Sequence, residues 1–90
     1  MQRITKHHLE HQVDRLNMLT YSPREYRNKE TGKTNINNYC LDWAYGGVKL
    51  VQVCNEQGAI RDISSGGYVT KREIYNQLQC LNTVLYRMEV

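Results

Sequence analysis

The sequence predicts a single α+β domain of element order α-β-β-β-α, in which two helices pack on one face of a three-stranded antiparallel meander. Apolar residues recur at helical spacing near both ends of the chain, the period changes to two in the middle, and glycine-containing turns separate the central segments. The 90 residues are enough for one hydrophobic core and too few for a second domain, so residues 1–90 are expected to fold as one unit.

The first helix is expected at about residues 6–18. Its apolar positions Leu9, Val13 and Leu16 recur at i, i+4 and i+7, which places them on one face of a helix. Thr5 stands directly before this segment, and a threonine hydroxyl there can accept a hydrogen bond from a backbone N–H of the first turn. The sequence therefore predicts an amphipathic helix with Thr5 as its N-cap.

Three strands are expected in the middle of the chain. Residues 39–43 alternate between two faces, residues 48–54 are rich in β-branched side chains, and residues 59–64 form a short third strand. The two glycines at 46–47 favour the first turn, because glycine adopts positive φ without strain. The segment 55–58 carries the polar residues and the glycine that favour a second turn. These segments predict an antiparallel meander.

The second helix is expected at about residues 71–88. Thr70 and Glu73 have the spacing of a capping box, in which the threonine hydroxyl and the glutamate carboxylate each accept a backbone N–H. One narrow apolar stripe follows at i, i+4, i+7, i+11 and i+14. Its members are Ile74, Leu78, Leu81, Leu85 and Met88.

Strand parity divides the predicted sheet into two faces. The face opposite the helices carries an apolar cluster of Val51, Val53 and Ile60, which predicts a self-association surface and a possible homodimer, or a partner site. The alternative is that the long polar segment at residues 20–34 folds over this cluster. The helix-facing side is expected to comprise Tyr39, Leu41, Trp43, Val48, Leu50, Cys54, Ala59 and Ile63.

The composition favours a cytoplasmic protein that does not span a membrane. The chain has neither the apolar core of a signal peptide nor an apolar run of about 20 residues. Cys40, Cys54 and Cys80 are widely spaced and odd in number, which favours free thiols over disulfides or a structural zinc site. The net charge of +3 is mild and does not by itself predict nucleic-acid binding.

The motifs predict a binding protein rather than an enzyme, with no cofactor and no metal site. The chain contains no nucleophile elbow, no Walker loop and no GxGxxG segment. His7, His11 and Asp14 have a spacing that can hold a metal ion, but a solvated polar helix face is the preferred interpretation.

The tip of the first hairpin is one predicted partner-binding region. Trp43, Tyr45 and Lys49 surround its turn, where aromatic rings and backbone donors can grip a flat ligand or enter a protein pocket. The alternative for Trp43 is a place in the core.

The second helix supplies the other predicted partner-binding residues. Lys71 and Arg72 follow the glycines at 66–67 and lie at the expected helix N-terminus, where anions bind readily. An ordinary strand-to-helix loop is the alternative. Tyr75 and Tyr86 flank the apolar stripe and suggest a second contact surface, or else they rim the core.

The order α-β-β-β-α over roughly residues 5–88 is similar to that of a double-stranded RNA-binding domain. Residues 70–73, Thr-Lys-Arg-Glu, resemble the basic start of that family's second helix. The resemblance implies contact between this helix terminus and the phosphates of duplex RNA.

Two segments resemble small uncharacterised bacteriophage proteins. They are residues 41–51, LDWAYGGVKLV, and residues 66–73, GGYVTKRE. The resemblance implies a phage origin and a location in the host cytoplasm. Because small phage proteins commonly act by occupying a surface, the leading hypothesis is a host-takeover or anti-defence protein that binds and inhibits a host protein or immune system.

Two other functions stay open at this point. The first is nucleic-acid binding through Lys49, Lys71, Arg72 and the basic segment at 24–33, which predicts affinity that falls steeply with salt. The second is capture of a small nucleotide signal at an oligomer interface, which predicts thermal stabilisation by the ligand.

Overall fold

The computed structural model describes residues 3–89, and its element order is the predicted α-β-β-β-α. The strands form one antiparallel sheet in their order along the chain, and both helices pack against one face of it. The predicted α+β fold is thus confirmed. The elements are α1 (Lys6–Leu19), β1 (Tyr39–Ala44), β2 (Gly47–Val53), β3 (Ile60–Asp62) and α2 (Lys71–Glu89).

Helix α1 begins at a reciprocal cap. The His8 amide donates to Thr5 Oγ1 at 3.3 Å, and the Thr5 amide donates to His8 Nδ1 at 3.2 Å. The Thr5 cap is therefore confirmed, with histidine in the place where a capping box usually has glutamate or glutamine. Leu9 and Leu16 are fully buried, as the apolar stripe predicted.

Helix α2 covers the sheet with its first half and extends past it. The Glu73 amide donates to Thr70 Oγ1 at 3.2 Å, and Ile74 and Leu78 are fully buried. Met88, expected on the same stripe, is 77% exposed. The reason is length: at 1.5 Å per residue the 19 residues of α2 span about 28 Å, whereas the 7 residues of β2 span about 23 Å.

The two helices run in the same direction. Tyr75, near the start of α2, shares a depression with His8, and Tyr86, near its end, lies 5.8 Å from the Arg15 guanidinium. Both N-termini therefore lie at the same end of the molecule.

The strand pairing confirms the predicted parity. Leu41 faces Leu50 and Trp43 faces Val48, so these four residues share one side of the sheet. Val48 and Leu50 form the core with residues of both helices. Of the expected helix-facing residues, Trp43 is 38% exposed, and Cys54 and Ala59 are also exposed. These three lie near the ends of the sheet, where the helices do not cover them fully.

The opposite side of the sheet is partly covered by the chain itself. Val51 and Val53 are each 1% exposed, whereas Ile60 is 43% exposed. The structure therefore corrects the expectation of an exposed Val51, Val53 and Ile60 cluster, because the two valines already have intramolecular neighbours. Of the two interpretations of this face, the one in which the long loop folds over it matches the burial of Val51 and Val53.

Hydrogen bonds hold the loop at residues 20–38 in place. Asn38 Nδ2 donates to the Pro23 carbonyl at 2.7 Å, and Thr34 Oγ1 donates to the Asn55 carbonyl at 2.8 Å. Thr34 and Asn38 are buried polar residues, so these bonds satisfy the Thr34 hydroxyl and the Asn38 amide nitrogen, whereas the buried Asn38 Oδ1 accepts no hydrogen bond within residues 3–89.

The third strand is interrupted and then resumes for one residue. β3 pairs with β2 only at residues 60–62, and Val69 then bonds to Val48 through two backbone hydrogen bonds of 2.9 Å. Val69 packs against the core, so the preceding Tyr68 points to the opposite side of the sheet.

Candidate functional site

The β1–β2 turn and the N-termini of both helices meet at one end of the molecule. Lys6 Nζ lies 5.8 Å from the centroid of the Trp43 ring, which places the start of α1 beside the hairpin. The bridge between Val48 and Val69 places the start of α2 there as well. We call this region the hairpin-end surface, defined by Lys6, Trp43, Tyr45, Tyr68, Lys71 and Arg72.

Tyr45 projects furthest into solvent in this region, with 94% of its surface exposed. It occupies the first position of a two-residue turn with φ +54°, and Gly46 follows with φ +72°. A turn with positive φ at both positions matches the twist of a β-hairpin and favours asparagine, aspartate or glycine. A tyrosine there is disfavoured by about 1 kcal/mol.

A second tyrosine supports the Tyr45 ring. The ring of Tyr68 lies edge-on to that of Tyr45, with centroids 5.4 Å apart and an interplanar angle of 66°. Gly47 permits this approach, because a Cβ there would lie 3.0 Å from the Val69 carbonyl oxygen and 3.2 Å from Tyr68 Cβ. The aromatic pair therefore depends on the close approach of the Gly47 backbone to the backbone of Tyr68 and Val69.

Two charged residues, Asp42 and Lys49, contact Tyr68 and fix its position. Its hydroxyl donates to Asp42 Oδ2 at 2.5 Å, and Lys49 Nζ lies 4.7 Å from the centroid of its ring. Lys49 also forms an ion pair of 2.9 Å with Asp62, and its side chain is only 17% exposed. Lys49 thus contacts both Asp62 and Tyr68, and it stabilises the hairpin-end surface through its contact with the Tyr68 ring.

These contacts shift two pKa values. The hydrogen bond to Asp62 is the main cause that raises the pKa of Lys49, and Asp42 and Tyr68 act in the same direction. The hydrogen bond to Asp42 is the main cause that raises the pKa of the Tyr68 hydroxyl, with a further contribution from burial. At neutral pH Lys49 is therefore a cation, and Tyr68 is a neutral donor.

Basic residues lie at the same end of the molecule as the aromatic rings of the hairpin-end surface. Lys71 and Arg72 are exposed on the first turn of α2. The side chain of Lys6 is 66% exposed and lies 3.9 Å from Glu10, a separation at which an exposed pair binds weakly. The helix N-termini add partial positive charge to this end of the molecule.

The two tyrosines predicted on α2 lie in different places. Tyr75 is half-buried, and its hydroxyl accepts a hydrogen bond from Gln79 Nε2 at 2.9 Å. Tyr86 is 53% exposed and lies three turns further along α2. The structure therefore places Trp43, Tyr45, Lys49, Lys71 and Arg72 at the hairpin end of the molecule, with Trp43 and Lys49 on opposite sides of the sheet, and leaves Tyr86 at the far end.

Sequence reasoning did not identify Lys6 or Tyr68 as members of this surface. Lys6 joins it because the helices run parallel, which the apolar periodicity does not specify. Tyr68 joins it because the third strand resumes at Val69 after several irregular residues, and strand parity cannot be counted through such an interruption.

A groove of about 380 Å³ lies on the loop-covered side of the sheet. Tyr26, Cys40, Asp42 and Ile60 are among the residues that line it. Burial, aided by Asp42, raises the pKa of the Cys40 thiol. This shift lowers the thiolate fraction, and with it the reactivity of the cysteine.

A larger apolar groove of about 440 Å³ runs along α2 on the side away from α1. Ile63 and Ser64 border it opposite the helix, and the helix side includes Cys80, Leu81 and Val84. Val84 is 50% exposed, so the groove is open to solvent.

Comparison with protein families, with curated proteins and with solved structures found no match to this chain. Within residues 3–89, no helix is long and apolar enough to cross a membrane. In the same part of the chain, no three His, Cys, Asp or Glu side chains come together as a metal site.

Proposed function

We propose that this chain is a non-catalytic binding protein that inhibits a partner protein by covering part of its surface, and that the hairpin-end surface makes the contact. The observation that carries the proposal is Tyr45 at the tip of the hairpin: its ring is 94% exposed and meets the Tyr68 ring edge-on, in a backbone conformation that disfavours tyrosine. Local backbone strain is concentrated at functional sites, where selection retains it for a purpose other than stability.

The composition of the hairpin-end surface supports a protein partner. Tyrosine, tryptophan and arginine dominate the energetics of protein interfaces, and Tyr45, Trp43 and Arg72 represent all three types. The Tyr68 ring, which lies beside Lys49, meets the Tyr45 ring edge-on, so the exposed ring is next to a second aromatic group that a partner can also contact.

The identity of the partner class rests on the resemblance of two segments to bacteriophage proteins. We propose a host protein, with a function in host takeover or in anti-defence. Such an inhibitor needs no catalytic group, because occupation of a functional surface is sufficient.

Affinity capture from bacterial lysate with a matched pair of variants tests the proposal. Tyr45→Asn removes the projecting ring, and asparagine tolerates positive φ. Tyr21→Asn is the control, because Tyr21 also has positive φ, +58°, and is 82% exposed, but follows the C-terminus of α1. We expect one protein to be retained by the wild type and by Tyr21→Asn and to be lost with Tyr45→Asn. Equal retention by all three would count against the hairpin-end surface.

Nucleic-acid binding is the second candidate, and the clustering of Lys6, Lys71 and Arg72 beside two helix N-termini favours it. If each of these three residues neutralises one phosphate, affinity for duplex DNA is expected to fall by about 40-fold between about 50 and about 200 mM salt, and for duplex RNA by a similar factor. Fluorescence anisotropy with a short duplex RNA measures this dependence. Absence of binding at the lower salt concentration would exclude the candidate.

A further inference from the structure

Helix α2 carries a second stripe of residues beside its buried one. The members of this stripe recur at i, i+4, i+7, i+11 and i+14, which is the spacing of a coiled-coil seam. They lie on the side of α2 that faces the apolar groove, away from α1. The stripe consists of Glu73, Gln77, Cys80, Val84 and Arg87.

The exposed surface of α2 contains no charged residue from 74 to 86. Helices that face water usually carry charges on the exposed side, whereas the centre of a protein interface is depleted of them. Cys80 and Val84 are both exposed on this stretch and border the groove. The surface has the character of an interface centre.

The charges at the two ends of the stripe are opposite and symmetrically placed. Glu73 lies seven residues before Cys80, and Arg87 lies seven residues after it, and both are exposed. If two copies of the helix pair antiparallel about a two-fold axis at Cys80, Glu73 of each copy faces the partner's Arg87. A parallel arrangement would instead bring like charges together.

We propose that a second copy of this chain docks on the groove side of α2, with the two α2 helices antiparallel and the two-fold axis near Cys80. A two-fold interface must be self-complementary, and each residue on the axis meets its own copy. An uncharged centre with opposite charges at either end satisfies both conditions. Val84 of each copy then enters the apolar groove of the other.

The expected dimer is of the weak class. A helix of 19 residues is about 28 Å long. A stable interface buries about 800 Å² per partner, and a contact strip of this length buries less than that. The aromatic part of the hairpin-end surface stays uncovered in this arrangement, because it is not part of the α2 stripe, whereas Lys71 and Arg72 directly precede Glu73 and lie at the edge of the contact. The dimer would therefore present two such surfaces, pointing in opposite directions.

Charge reversal tests the predicted pairing. Glu73→Arg alone places two arginines opposite each other at both ends of the interface, and Arg87→Glu alone places two glutamates there. We expect each single variant to weaken the dimer by about tenfold and the double variant to restore it to within about threefold of the wild type. Thr83→Glu, on the solvent side of α2, is the control and should leave the dissociation constant unchanged. Sedimentation velocity over a wide concentration range measures all five proteins.

Cysteine crosslinking provides a second test that needs no change in charge. In a Cys54→Ser variant, a short bismaleimide is expected to link Cys80 to the partner's Cys80, and Cys80→Ser should abolish the product. A chain that is monomeric up to about millimolar concentration, or a dimer that the double variant fails to restore, would overturn the proposal. Because Glu73 lies in the first turn of α2, thermal unfolding of each variant shows whether the helix itself has changed.

Discussion

Tyr45 combines a disfavoured backbone conformation with an almost fully exposed side chain. Its backbone conformation destabilises the fold by about 1 kcal/mol, and its edge-on contact with Tyr68 stabilises the fold by about 0.5 to 1 kcal/mol. Neither burial nor turn preference accounts for a tyrosine at this position, since the ring is 94% exposed. Contact with a partner would account for it.

Tyr45→Asn is therefore expected to separate stability from binding. Relief of the backbone strain offsets the loss of the ring contact, so the free energy of unfolding should stay within about 1 kcal/mol of the wild type. Urea denaturation of Tyr45→Asn and wild type checks this. A loss well beyond that value would mean that Tyr45 is a structural residue.

We expect the protein to lose stability at alkaline pH because of Lys49 and Tyr68. Both have a pKa raised by folding, so the folded state retains their protons at pH values where the unfolded state has begun to release them. Their contribution is fully present at neutral pH and is lost as pH rises above about 10. Urea denaturation at neutral and alkaline pH measures it.

Asp42→Asn and Tyr68→Phe provide the comparison for the alkaline effect. Tyr68→Phe removes the hydrogen bond, and Asp42→Asn removes the charge of its acceptor, so the decline in stability above about pH 10 should become shallower than in the wild type in both variants. Identical pH profiles for the wild type and both variants would contradict the assigned cause.

Among the elements, the junction between β2 and the segment before α2 determines the shape of the hairpin-end surface. Val69 bonds to Val48, and Gly47 allows the two backbones to approach. Through this junction the third strand places Tyr68 beside Tyr45 and places α2 at the same end of the molecule as the hairpin.

Gly47→Ala is expected to disrupt this junction. An added Cβ would lie 3.0 Å from the carbonyl oxygen of Val69. Because this oxygen belongs to the backbone, it cannot move aside as the end of a flexible side chain could. Overpacking of this kind costs about 1 to 3 kcal/mol. Urea denaturation measures the loss, and partner binding should weaken because Tyr68 is displaced. Gly32→Ala is the comparison, since a Cβ at Gly32 would meet nothing within 4 Å and its cost comes from positive φ alone.

The elements themselves could be predicted from local sequence. Thr5, Thr70 and the alternation around Trp43 define the helix starts and the first hairpin through interactions within a few residues of each other. The burial of Val51 could not be predicted in the same way. It depends on a loop more than ten residues away in sequence, whose path is fixed by side-chain amides such as Asn38.

For the molecule as a whole, the parallel helices concentrate positive charge and exposed aromatic rings at one end. The net charge of +3 is modest, but Lys6, Lys71 and Arg72 lie on the same surface as Tyr45. Composition alone could not predict this concentration, because it arises from the direction in which the helices pack. It distinguishes the proposed binding end of the molecule from the groove along α2, where the proposed dimer forms.

The most direct test of the central claim is site-specific photo-crosslinking in bacterial cells. A photoreactive phenylalanine analogue replaces Tyr45 in one version of the chain and Tyr21 in another, and the adducts are identified by mass spectrometry. We predict one dominant protein adduct from position 45 that is absent from position 21. The same adducts from both positions, or none from position 45, would contradict the claim that the hairpin-end surface binds a partner protein.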